Sequence, residues 1–229
     1  MRGIIQLYHG SPDIIRKPEY GIGNTHNDFG LGFYCTESKE LAKEWACTSL
    51  NGGFSNHYAL DMNYLSVLNI NSEDYTILNW IAVLVSNRFF RAGSPNAGRA
   101  MRYLTEEFGL NVNAYDIIKG YRADDAYYDF ADAFLNNAIT VNQLAAAMKL
   151  GSLGEQIVIK AKRAFDNLSF LDYETADGSI YYQSRKNRMD EAQRDYYSIL
   201  EKDDDGLYMS DIMKGKIKNE DPRIPRNIP

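Results

Sequence analysis

The chain has 229 residues, 45% of them hydrophobic and 24% charged, with a net charge of −6, which suits a soluble globular protein of one large domain or of one domain with an appendage. That acidity argues against nonspecific duplex binding, which draws on Lys and Arg to neutralise phosphates. Two Cys exclude a disulfide scaffold, and three His with two Cys fall into no metal-ligand spacing, so no metal is expected.

Ile4 to Tyr8 reads as a first strand, preceded by no apolar run or cleavage site of a secretory signal. Asp13 to Pro18 reads as a short extended piece, and Gly21 to Gly30 as a loop. Gly32 to Thr36 is then a strand, and Ser38 caps a helix to Ser49 whose apolar face is Leu41, Ala42, Trp45 and Ala46. Cys35 and Cys47 read as small packing residues. His57 to Met62 and Leu65 to Asn71 are expected as two tightly joined strands. Asp74 to Phe90 is the strongest amphipathic helix, and Asn96 to Phe108 is a second. The longest apolar run, Trp80 to Val85, is far below the roughly 18 residues that span a bilayer, so the expectation is a cytoplasmic chain without a membrane partner.

Tyr115 to Lys119 reads as a strand, Asp124 to Leu135 as a helix, and Thr140 caps a helix through Lys149. Gln156 to Lys160 is a strand, Ala161 to Asn167 a short helix, and Leu168 to Tyr173 another strand. After Tyr173 the texture changes. Asn187 to Lys202 is a polar helix bearing Tyr196, Tyr197, Ile199 and Leu200. Ser210 caps a short helix over Asp211 to Lys214, and the tail from Asp221 to Pro229 is extended. Interleaved strands and helices give an α+β class. The division expected is a domain over 1–173 and a helical extension with a Pro-rich tail over 174–229.

Three stretches carry the chemistry: Tyr8-His9-Gly10-Ser11, then Asp28-Phe29-Gly30-Leu31-Gly32-Phe33-Tyr34 with Trp45 on the following helix, then Gly154-Glu155-Gln156-Ile157. On residue type alone, His9 is a strand-end His satisfied by backbone or a hydroxyl-binding group. Tyr34 and Trp45 are core aromatics or a stacking pair. Glu155 is an exposed strand-start acid or a catalytic one. Asp124 and Asp125 cap a helix or place a second carboxylate near an acceptor.

The order of these stretches resembles the nicotinamide pocket of the ADP-ribosyltransferase superfamily. Its closest likeness is to the His-Tyr-Glu branch, which includes diphtheria toxin and the poly(ADP-ribose) polymerases. More narrowly, the chain resembles a bacterial ADP-ribosyltransferase-like family that also carries the pattern of Tyr115 to Asp125. The resemblance implies a split β-sandwich core with inserted helices and a helical C-terminal extension. It implies NAD as co-substrate, bound by His9, Gly10, Ser11, Tyr34 and Trp45. His9 would bond a ribose hydroxyl, and the Gly10 backbone would pair with the carboxamide. Tyr34 and Trp45 would stack on the cationic ring, about 0.5–2 kcal/mol per face. Glu155, with His9 and Tyr34, would form the catalytic set, its carboxylate stabilising the oxocarbenium-like ribose.

The resemblance further implies a mono-ADP-ribosyltransferase acting on RNA, DNA or protein. Its setting would be the toxin of a toxin–antitoxin or phage-defence system, with an antitoxin as partner. Leu153, where arginine-modifying relatives carry Glu, argues against an arginine acceptor. Asn24 stands where the narrower family usually has a loop Arg, with His26 the nearest substitute. A catalytically weak or inactive binding module of the same fold is the alternative.

Overall fold

A computed structural model describes residues 3–90, 94–123, 125–150, 154–202 and 204–226. Asp124, Leu153 and the Asp125 side chain lie outside what is described. Seven strands among these residues form two sheets. Strand β1 (Ile4–Ser11) pairs antiparallel with β3 (Gly53–Asp61), and β3 pairs antiparallel with β7 (Leu168–Ala176). The second sheet runs β2 (Phe33–Cys35), β6 (Glu155–Ile159), β5 (Ile117–Tyr121), β4 (Val67–Asn69). A bridge between Tyr8 and Thr36 ties the sheets together, with N–H to carbonyl distances of 2.8 and 2.9 Å.

The stretch Glu155–Ile159 is almost continuously apolar because both of its faces are covered. Ile157 and Ile159 join Leu7, Cys35, Leu60 and Ile117 in a core shared by the two sheets. Val158 and Ile118 face the other way, into a larger core made with the helices. That helical layer comprises α2 (Ile77–Asn87), α3 (Pro95–Phe108), α4 (Asp125–Leu135), α5 (Val141–Ala147) and α8 (Met209–Gly215). Helix α1 (Lys39–Ala46) instead packs on β1 and β3, and α6 (Lys162–Asp166) precedes β7. Helix α7 (Gly178–Leu200) reaches from α1 to α4 and α5.

The chain is thus α+β, with two sheets and eight α-helices among the described residues. No helix among them is long and apolar enough to cross a membrane.

Several local expectations change. The segments read as tightly joined strands fall in different sheets: Tyr64, at φ 63°, turns the chain, and β4 pairs parallel with β5. The 173/174 boundary falls inside β7, which runs to Ala176 along β3, and α7 starts at Gly178 rather than Asn187. The tail is docked as far as Arg226, with Ile224 buried, Arg226 bridging Thr76, and the Ile77 N–H donating to the Pro225 carbonyl.

Candidate functional site

The end of β1, the loop after it, β2 and α1 enclose a cavity of about 590 Å³. His9, Gly10, Tyr34 and Trp45 all line it. Behind Gly10 there is no room for a side chain: a Cβ there would lie 2.0 Å from the Ala42 carbonyl oxygen and 2.6 Å from the Ala46 nitrogen. Glycine lets α1 settle against β1, and this close approach carries Trp45 to the cavity wall.

His9 Nδ1 lies 2.7 Å from the Tyr34 carbonyl oxygen. A carbonyl only accepts, so Nδ1 carries the proton and Nε2 of the neutral ring is an acceptor. Burial pushes the imidazole pKa below its usual value, against the opposing effect of that hydrogen bond, which keeps the ring neutral. A hydroxyl-bearing ligand is the natural donor to such a nitrogen.

The Tyr34 hydroxyl donates to the Gly30 carbonyl at 2.6 Å and accepts from the Phe29 N–H at 3.1 Å. Both bonds pin the Asp28–Gly30 turn, where Gly30 has φ 74°. Burial raises the phenol well above its ordinary range, so Tyr34 offers its ring and not a titrating oxygen. The Arg122 guanidinium lies 4.5 Å over the Trp45 ring, a cation–π contact inside the cavity. Trp45 Nε1 is buried and makes no hydrogen bond within the described structure.

Among the other residues that line the cavity are Asp28, Arg88, Arg122 and Gln156, none of them a candidate site residue from the sequence. Asp28 is 4% exposed. Its Oδ1 pairs with Arg88 Nε at 2.8 Å, and its Oδ2 accepts from Gln156 Nε2 and the Ala123 N–H, each at 2.8 Å. Burial raises the Asp28 pKa, while Arg88 and the two donors oppose the rise. Gln156 Nε2 also donates to the Tyr121 carbonyl at 3.1 Å, which fixes the orientation of its amide.

Glu155 and Ser11 stand apart. Successive residues of a strand leave opposite faces. Val158 is the register partner of Tyr34, so Gln156, two residues earlier, shares the Tyr34 face and Glu155 takes the other. There Glu155 Oε2 lies 2.6 Å from Lys119 Nζ, and Oε1 accepts from Asn71 Nδ2 at 2.8 Å. Glu155 does not line the cavity. Ser11 is buried beside it, its Oγ accepting from the Asp13 N–H at 3.1 Å. Asn24 lines the cavity, whereas His26 stacks on Phe89 at 5.0 Å outside it. No group of three metal-ligating side chains occurs among the described residues.

Residues 5–170 match the model of a family described as a protein of unknown function (DUF3990). The chain belongs to that family. The family segment contains every cavity-lining residue named above and leaves out α7 and α8. No curated protein and no solved structure matches the chain.

Proposed function

We propose that this family member is a mono-ADP-ribosyltransferase that binds NAD in the cavity between β1, β2 and α1. The observation that carries the reading is one of assembly. His9, Gly10, Tyr34 and Trp45, from three separate elements, line a single cavity of about 590 Å³, within the usual range for small-molecule sites. The nicotinamide ring lies against Tyr34 and takes the place of the Arg122 guanidinium over Trp45, and a ribose hydroxyl donates to His9 Nε2. The bond from nicotinamide to ribose C1′ breaks, nicotinamide leaves with the electron pair, and positive charge develops on the ribose. A nucleophile of RNA, DNA or protein attacks C1′ and loses its proton.

On this reading the buried carboxylate that serves the cavity is Asp28, held by Gln156 and Arg88, and not Glu155. The fold is read accordingly as an ADP-ribosyltransferase-like split sandwich. Its setting is read, by resemblance, as the toxin of a toxin–antitoxin or phage-defence pair.

The test combines labelled NAD with separate pools of cell protein, RNA and DNA, together with nicotinamide release. Label is expected in one pool. Gln156→Ala and Asp28→Asn should lower nicotinamide release by about 100-fold, the scale of losing a preorganised polar contact to the transition state. Glu155→Gln should stay within about threefold of wild type. Folding of each variant is checked by its melting curve.

A second reading is a binding module with little or no turnover. The observation that favours it is the Glu155 carboxylate, turned from Tyr34 and engaged by Lys119 and Asn71. NAD raising the melting temperature by mass action, with no nicotinamide released, selects it. Neither stabilisation nor release would sink both readings.

A further inference from the structure

We infer that α7, outside the family-matched segment, braces the cavity, with Arg188 positioning Trp45 through Glu44. Arg188 grips Glu44 with two parallel bonds, Nε to Oε2 at 2.9 Å and Nη2 to Oε1 at 2.6 Å. Glu44 has a side chain only 8% exposed. One turn earlier on α1, the Tyr181 hydroxyl donates to Glu40 at 2.7 Å, and Lys43 Nζ lies 5.4 Å over the Tyr181 ring. Glu40, Lys43 and Glu44 lie on one helix face, toward α7. Trp45, the next residue, turns by about 100° from Glu44 toward the cavity.

The far end of α7 is seated on α4. Tyr196 stacks on Phe130 of α4 at 4.0 Å, and Ala192 is fully buried. Helix α4 starts directly after the segment that supplies Arg122 and Ala123 to the cavity. Arg122 in turn covers Trp45. Trp45 thus meets Arg122 on its ring, while its chain neighbour Glu44 meets Arg188 of α7.

A buried ion pair contributes little net stability, because desolvation offsets its attraction. What a two-point Arg fork supplies is orientation, and an ammonium cannot reproduce it. The brace is a statement about where Trp45 sits, and its link to affinity rests on the NAD reading above.

The experiment labels the full chain with 5-fluorotryptophan and records ¹⁹F spectra, with Trp45→Phe assigning the two resonances. The double variant Arg188→Met with Glu44→Gln removes both charges together. The Trp45 resonance should shift or broaden while Trp80, in the helical core, stays in place. Affinity for NAD should fall about tenfold. Arg188→Lys, which keeps the charge and loses the fork, should move Trp45 in the same direction by less. A Trp45 resonance unchanged in the double variant overturns the inference. If the double variant unfolds, seen as collapse of the Trp80 shift, Arg188→Lys decides, and an unmoved Trp45 overturns it. Wild-type protein that binds no NAD would remove the proposed function, while the ¹⁹F result would still decide the brace.

Discussion

An imidazole with one nitrogen committed to a buried carbonyl has a definite pH signature. His9 is held neutral in the folded chain, its pKa lowered chiefly by burial, whereas in the unfolded chain it titrates near about 6.5. Below that pH the unfolded state takes up a proton that the folded state refuses. The His9 contribution to stability is therefore complete above about pH 6.5 and declines as pH falls beneath it. Melting curves from pH 7.5 to 5 should fall less steeply for His9→Gln than for wild type, and parallel slopes would contradict this.

Residue identity was legible for His9, Gly10, Tyr34 and Trp45, each of which lines the cavity. The phase of β6 was not. A strand covered on both faces reads as Gln-Ile-Val-Ile without alternation, so nothing local tells which of Glu155 and Gln156 shares the Tyr34 face. Arg88 and Gln156 meet Asp28 from far along the chain, and no spacing rule reaches that distance.

Elements whose signals are local came through best. Ser38 caps α1 by accepting from the Leu41 N–H at 3.2 Å, and Thr140 with Gln143 forms a capping box on α5. The start of α7 was missed by nine residues because Gly178 and the polar stretch after it carry no apolar period. Its cap is Asp177, whose carboxylate accepts from the Ser179 N–H at 2.8 Å. At this scale the contact of β1 with α1 is the sensitive one. Gly10→Ala drives a methyl into the Ala42 carbonyl, and the helix must shift. The expected cost is about 1–3 kcal/mol by urea unfolding. A stability equal to wild type would show that α1 is not fixed by that approach.

For the whole molecule, the sequence conveyed the mixture of strands and helices but not which strands share a sheet. β4 lies parallel to β5, and β6 sits between β5 and β2, pairings that only long-range contacts decide. The position of β6 has a chemical corollary. Paired along both edges, the strand is keyed in place, and a slip that exchanged Glu155 for Gln156 would turn every apolar side chain of the strand over. An acid can enter the cavity floor from this strand by substitution, not by motion. Gln156→Glu would set a second carboxyl against the Asp28 oxygen that now accepts from Gln156 Nε2 at 2.8 Å. Two carboxylates so close share one proton, and the apparent pKa of the pair rises above the unfolded value of about 4.3. The pair is then most favourable in acid and loses its contribution as pH rises through that elevated value. Thermal melts should show the variant falling further behind wild type at pH 8 than at pH 5. The exchange would turn a permanently set floor into one that charges and discharges with its surroundings.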